Sequence, residues 1–376
     1  MTTFTHIKSI TRLSTILILL SISVNAFAKK NIVPEPFRGQ DNKSTISISY
    51  DDYSEVLRYS VLDLGKSKRA KSTKTVASIG SRVKKKRESV YTALEGNRFL
   101  FRNFKTAENK AVITTIRKSL EKVPDEVAMS MLNAREQLAF WLNLYNISLI
   151  EQLNEIYPKL DIEDELYGSN GIMNRKTLMV SGVSLSLNDI HKKIILGKFS
   201  GNPLVIYGLF QGTIGGPNIR KTAYTGATVI KQLRKNAAEF INSNRGTYKS
   251  KKQTLRVSSF YQRNEHLFPN FKEDLRRHLS PYMDDNYSSF LDSAKKIKAN
   301  IKVNKIADLN GGQRERSSSA ATNTAALLDS AAAQGMDPNL VAGGEGSGGG
   351  FVNPSTGITS GTYHSQTVNY GRFSPE

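Results

Sequence analysis

NAREQLAFWLNLYNISLIEQL, residues 133–153, decides how the rest of this chain is read. Leu138, Leu142, Tyr145 and Leu149 recur at four- and three-residue steps, which places them on one helical face. Phe140, Leu144, Ile147, Ile150 and the chain's one tryptophan, Trp141, fill the other sides. The middle of the helix is therefore apolar nearly all round, and such a helix belongs inside a domain, covered by other elements. Asn133 followed by Glu136 makes an N-terminal cap, and Pro158 forces Tyr157 out of helical geometry. Asn143 and Asn146 sit three apart in this oily stretch. Buried amides must be paired, so the two either orient a ligand or tie loop backbones to the helix.

Outward from this helix, the pattern predicts a helix-rich α+β domain with a small sheet. Ser44–Tyr50 alternates like a half-buried strand, and Tyr53–Leu64 has helical apolar spacing. Ala107–Leu120 reads as an amphipathic helix, and Phe99, Phe101 and Phe104 as a cluster docked on the core. After Pro158, Leu178–Ser184 predicts a short strand and a turn at Gly182. Ser186 and Asp189 cap a helix running to about Leu196. Pro203–Phe210, PLVIYGLF, is a continuous apolar run of strand length and predicts an interior strand. The loop Gln211–Gly216 follows, then a helix over about Thr228–Asn244, a strand at Leu255–Phe260, and two amphipathic helices ending by about Ile301.

The first 28 residues combine Lys8 and Arg12, the apolar Leu13–Ile22 and Ala26-Phe27-Ala28, the pattern of a cleaved secretory signal. A spanning helix needs about 20 apolar residues, and this run is half that. No later stretch is long and apolar enough, so no transmembrane segment is expected after signal removal. The expected location is periplasmic or secreted. Residues 29–306 should form one globular domain. Residues 307–376, rich in Ser, Ala, Gly and Thr, should be a disordered tail, because they offer too little apolar surface to offset their ordering entropy.

The absence of cysteine removes disulfides, thiolate metal sites and thiol nucleophiles from this chain. The net charge is +20, and residues 29–306 carry 48 basic against 27 acidic groups. A body this basic attracts polyanions or anionic surfaces. Lys66–Arg87 holds ten basic residues and no acidic one, densest at Lys84, Lys85, Lys86 and Arg87. That run is either a solvated segment or a contact for an anionic polymer or membrane surface.

AFWLNLYN, Ala139–Asn146, resembles the AFWxNxYN signature of the domain-of-unknown-function family 547. GNRFLF at Gly96–Phe101, SLNDIH at Ser186–His191 and GGPNIRKTAY at Gly215–Tyr224 extend the resemblance over about Tyr53–Leu279. The resemblance implies cysteines in the glycine-rich loop at positions that here are Gln211 and Gly216. It implies a histidine where this chain has Ile206, and a Glu-His pair where it has His191 and Lys192. By analogy with thiol hydrolases, the groups that carry chemistry are replaced together here. No GxSxG or HExxH pattern occurs, and the loop Gln211–Gly216 has neither GxGxxG spacing nor GK[ST], so no cofactor and no metal are expected. The candidate site residues are Gln211, Asn143, Asn146 and the four cations Lys84, Lys85, Lys86 and Arg87 for binding. Any residual catalysis would draw on His191, Glu265 and His266. The expected role is an exported, non-catalytic binding module; the other reading is a hydrolase with a non-thiol site.

Overall fold

The computed structural model describes residues 32–69, 92, 94–309, 327–336 and 368–369. The signal-like segment 1–28 and the cations Lys84–Arg87 lie outside the described residues. In chain order come β1 (Ser47–Ile48), α1 (Asp51–Ser60), β2 (Val61–Leu62), β3 (Arg98–Phe99), α2 (Ala107–Glu126) and α3 (Ala134–Ile156). After α4 (Glu163–Tyr167), the hairpin β4 (Leu178–Val180) and β5 (Val183–Leu185) leads to a wide-turn helix, Asp189–Ile195. That helix continues as α5 (Leu196–Phe199). A 3-10 helix, Pro203–Gly208, precedes α6 (Val229–Ile241). The chain then forms β6 (Thr247–Ser250), β7 (Thr254–Ser258), α7 (Ser259–Arg263), α8 (Phe271–Leu279), α9 (Asp285–Ser293), β8 (Lys296–Ile301) and β9 (Val368–Asn369).

The domain is α+β and is built around α3, as its sequence predicts. Every residue from Glu136 to Ile150 is buried. Asn133 caps the helix, its Oδ1 accepting from the backbone N–H groups of Arg135 (3.1 Å) and Glu136 (3.0 Å). Glu136 does not close a capping box. Its carboxylate instead accepts from the N–H groups of Ile48 and Gly226, each at 3.1 Å, and so ties β1 and the loop before α6 to the helix. Trp141 stands edge-on to Phe37 (4.8 Å between ring centres) and to Phe140 (4.9 Å). α2 lies along α3, where Thr114 donates to Glu151 (2.7 Å) and Arg117 bridges Glu121 and Glu151.

The strands make three two-stranded ladders and one three-stranded sheet among the described residues, in the order β6-β7-β8. β6 and β7 form an antiparallel hairpin, while β8 runs parallel to β7. The short strand and turn expected over Leu178–Ser184 are present as a β4–β5 hairpin, turning at Ser181 and Gly182, both with positive φ.

Four sequence expectations are corrected. The half-buried strand expected over Ser44–Tyr50 shrinks to two residues, because Ile48 spends its N–H on Glu136. The helix expected over Tyr53–Leu64 ends at Ser60, after which the chain pairs with β3. Pro203–Phe210 is not a strand: Pro203–Gly208 is a buried 3-10 helix. Asn202 caps it through Leu204 N–H (3.2 Å), and side-chain amides of two helices take the backbone groups that strand neighbours would otherwise bond. A short buried apolar run looks the same in a strand and in a helix.

The fourth correction concerns the segment after residue 306. Ala307 donates to the Gly212 carbonyl (2.8 Å) and accepts from Phe99 N–H (2.8 Å). Leu309, Leu327, Ala331 and Met336 pack with Leu62 and Leu100 in a second apolar cluster. Gln334 reaches both backbone groups of Asp63, at 3.1 and 2.7 Å. Packing thus continues past the boundary expected at residue 306.

Candidate functional site

Asn143 and Asn146 point from α3 in the same manner. Asn143 donates to the Tyr224 carbonyl (2.7 Å) and accepts from Tyr224 N–H (2.9 Å). Asn146 donates to the Gly208 carbonyl (3.0 Å) and accepts from Phe210 N–H (3.0 Å). Each amide clamps one strand-like bend of backbone through both of its poles. Gln137 and Asn154 extend the device to the carbonyls of Met129 (2.6 Å) and Phe104 (2.6 Å). These amides satisfy buried backbone that no sheet covers.

The clamp of Asn146 sets the start of the loop 211–216. Gln211 is buried, its amide donating to the Leu209 carbonyl (3.0 Å) and accepting from the Tyr167 hydroxyl (3.0 Å). A Cβ at Gly216 would lie only 2.5 Å from the Gln211 Cβ. The two cysteine positions that the resemblance implies are thus side by side. Arg245 lies fully buried beneath the loop, donating to the carbonyls of Ile214 (3.1 Å) and Gly216 and to Asn218 Oδ1 (2.6 Å). Burial lowers its pKa to about 10, against the pull of Glu95 and Glu239.

Three of the loop's own N–H groups are already used. Ile214 donates to the Lys305 carbonyl (2.9 Å), Gly215 to that of Val303 (3.0 Å) and Gly216 to that of Thr213 (3.2 Å). A phosphate cradle or oxyanion hole needs such donors aimed at the ligand. Here Ile214 and Gly215 turn theirs to the chain after β8, and Gly216 turns its own back into the loop.

Beside Gln211, the buried side chains of Tyr145 and His191 and the exposed ring of Tyr167 form one polar cluster. Tyr145 lies edge-on to His191, 6.5 Å between ring centres, and its hydroxyl reaches Met173 Sδ at 3.8 Å. Burial raises the Tyr145 phenol pKa, as does neighbouring Tyr167, against the opposing effects of Arg263 and Gln211. His191 sits in the wide-turn helix that Asp189 begins. Asp189 is bonded to Ser186 and paired with Lys176 and Lys193, each at 2.7 Å. Burial disfavours the Asp189 charge, but these partners outweigh it and hold the carboxyl well below its ordinary pKa.

His191 Nε2 meets Asn264 Oδ1 at 3.0 Å, and Asn264 spends its amide N–H on the Phe260 carbonyl (2.8 Å). That second bond fixes the amide's orientation, so Nε2 carries the imidazole proton. Burial lowers the His191 pKa to about 4; the Asn264 bond opposes this, while Lys192, His266 and Arg263 add to it. The ring is neutral at pH 7 and a weak base. Glu265 and His266 follow α7 in an exposed turn, where the Glu265 carboxylate accepts from Gln262. His191 lies more than 70 residues before Glu265 and His266 but comes near His266 in space; among the described residues no serine or carboxylate is hydrogen-bonded to either histidine. Sequence reasoning missed Tyr145, Tyr167, Arg263 and Asn264 as members of this cluster. Arg263 stands 5.1 Å from the Tyr167 ring centre.

A separate recess of about 500 Å³ opens at the start of α3, lined by Asn42, Thr45, Ser47, Asn133, Arg135 and Glu136 among others. Tyr145 lies nine residues further on, about 13 Å along the helix axis, so the recess and the Gln211–His191 cluster are distinct. Among the described residues no group of three His, Asp or Glu could hold a metal ion, and no helix is long and apolar enough to cross a membrane.

No curated protein and no solved structure matches the chain. The model of a family described as a protein of unknown function, DUF547, matches residues 129–241. The matched segment holds α3, SLNDIH, the glycine-rich loop, GGPNIRKTAY and α6, but not GNRFLF at Gly96–Phe101. Its clamps, loop and helix are the parts that build the cluster around Gln211, and on that match residues 129–241 belong to the DUF547 family.

Proposed function

We propose that this protein is an exported binding module, periplasmic or secreted, that associates with anionic polymers or surfaces through its basic body. The observation that carries the reading is charge: 48 basic against 27 acidic groups over residues 29–306. Two further points support it. The segment Met1–Ala28 has the order of a cleaved secretory signal. The polar cluster around Gln211 and His191 spends its amides on backbone and neighbouring side chains, and its histidine is neutral and buried.

A protein that neutralises several anionic groups releases their counterions, so its affinity falls steeply as salt rises. The full chain should therefore bind heparin, nucleic acid or anionic vesicles at low salt and lose most of that affinity at moderate salt. Failure to bind any of the three at low salt would overturn the reading. Export has its own check: protein recovered from the periplasm or medium should begin near Lys29.

A further inference from the structure

The described surface carries its own concentration of positive charge, apart from the run Lys84–Arg87, and it lies on the three-stranded sheet. Tyr248, Arg256 and Lys298 form one register row across β6, β7 and β8, and Ser250, Thr254 and Lys296 form the next. Side chains alternate between sheet faces, and the burial follows: Leu255 and Val257 face the core, while Lys296, Lys298 and Asn300 are exposed. Lys251 and Lys252 lie in the β6–β7 turn. Its Gln253 carbonyl accepts from Lys295 N–H (2.9 Å), which brings Lys295 beside the same edge.

No acidic residue occurs anywhere in 245–263 or 294–307. Of these cations, Lys251, Lys252, Lys295, Lys296 and Lys298 have no ion-pair partner among the described residues. Arg256 is held flat on the sheet by Asn300, whose Oδ1 accepts from Nε at 2.8 Å. Lysines on an edge strand also discourage sheet-to-sheet aggregation. That role needs charge on the edge alone, whereas here it extends to the central strand and the turn.

We propose that this sheet face is a docking surface for single-stranded nucleic acid, bound without sequence preference. The inference rests on the polyanion-binding reading above and assigns it a site and a ligand class. Lysines flanking a flat row with an aromatic ring supply the two things a single strand offers partners for, phosphates and base faces. Tyr248 provides the ring, in the same row as Arg256 and Lys298. A bilayer would be gripped by apolar side chains as well as by charge. Among the described residues the exposed large apolar ones, Ile32, Leu94, Met131, Tyr167 and Met179, all lie elsewhere.

The test uses the full chain, a mixed-sequence single-stranded DNA oligonucleotide, heparin and anionic phosphatidylglycerol vesicles. The variant K252Q/K295Q/K296Q/K298Q should bind the oligonucleotide about tenfold or more weakly, and lower the slope of log affinity against log salt by about 0.7 for each lost contact. Tyr248→Ala should weaken oligonucleotide binding roughly 5- to 100-fold, with its salt slope unchanged and heparin binding little altered. Tyr248→Phe should retain the affinity of the parent, which separates loss of stacking from loss of fold, and thermal unfolding of every variant is recorded alongside. Binding of heparin or vesicles without the oligonucleotide would overturn this inference and leave the proposed function standing. So would oligonucleotide binding indifferent to the four lysine substitutions. An intact protein that binds none of the three probes overturns both.

Discussion

At the scale of single residues, the amides of α3 substitute for a sheet. Asn143 and Asn146 each satisfy a buried carbonyl and a buried N–H on loops that no strand covers. Asn146→Ala leaves two such groups unpaired, and at roughly 1–3 kcal/mol for each the variant should lose about 2–6 kcal/mol in denaturant unfolding, with or without ligand. A ligand-orienting amide would behave otherwise, lowering affinity at unchanged stability. Two histidines, His191 buried and His278 half-buried, give a second expectation. Burial lowers both His191 and His278 to a pKa of about 4. Between that value and the ordinary ~6.5, the unfolded chain takes up protons that the folded one refuses, so stability is complete above about pH 6.5 and is lost as pH falls towards 4. Thermal midpoints across this window should decline less steeply for H191Q/H278Q than for the parent; parallel declines would show that neither ring is buried neutral.

At the scale of elements, α3 and the run after Asn202 teach opposite lessons. The first is legible because 21 residues of helical periodicity, a capping asparagine and a terminating proline all agree. Trp141 lies fully buried against Phe37 and Phe140. Trp141→Ala should therefore cost about 3–5 kcal/mol, and an unchanged thermal midpoint would mean that α3 is not the centre of the core. PLVIYGLF was illegible because eight apolar residues carry burial but no period, and its backbone partners come from Asn146 and Asn236, more than 50 residues before it and more than 25 after it. β8 is the reverse case. KIKANI alternates with period two, yet it becomes a strand only by pairing in parallel with β7, some 40 residues earlier.

At the scale of the whole molecule, the core does not stop where composition changes. Leu309, Leu327, Ala331 and Met336 cover Leu62 and Leu100, and Gln334 holds Asp63 from both sides. A chain ending at residue 306 should consequently unfold at lower denaturant than one ending at 336, since it exposes those leucines and frees Phe99 N–H from its bond to Ala307. Equal midpoints for the two chains would place the residues after 306 outside the cooperative fold. A few well-placed apolar residues inside a Ser/Ala-rich stretch are enough to dock it, provided a complementary apolar face is waiting.

The sequence by itself determined the class of fold, the central helix, the most buried ring and the basic body. It also determined the absence of any thiol. These follow from local periodicity, capping and composition, which need no partner in space. Only the tertiary structure decided what the polar residues do. Whether an asparagine on a buried helix meets a ligand or a backbone depends on which loop is folded against it, and Tyr224, Gly208 and Phe210 are brought there by chain 62 to 81 residues away. The same long-range closure turned the N–H groups of Ile214 and Gly215 towards Lys305 and Val303 and brought Arg256 of β7 beside the lysines of β8 on one sheet face. Charge is additive along a sequence, but the direction a hydrogen-bond donor faces is set only when the chain closes.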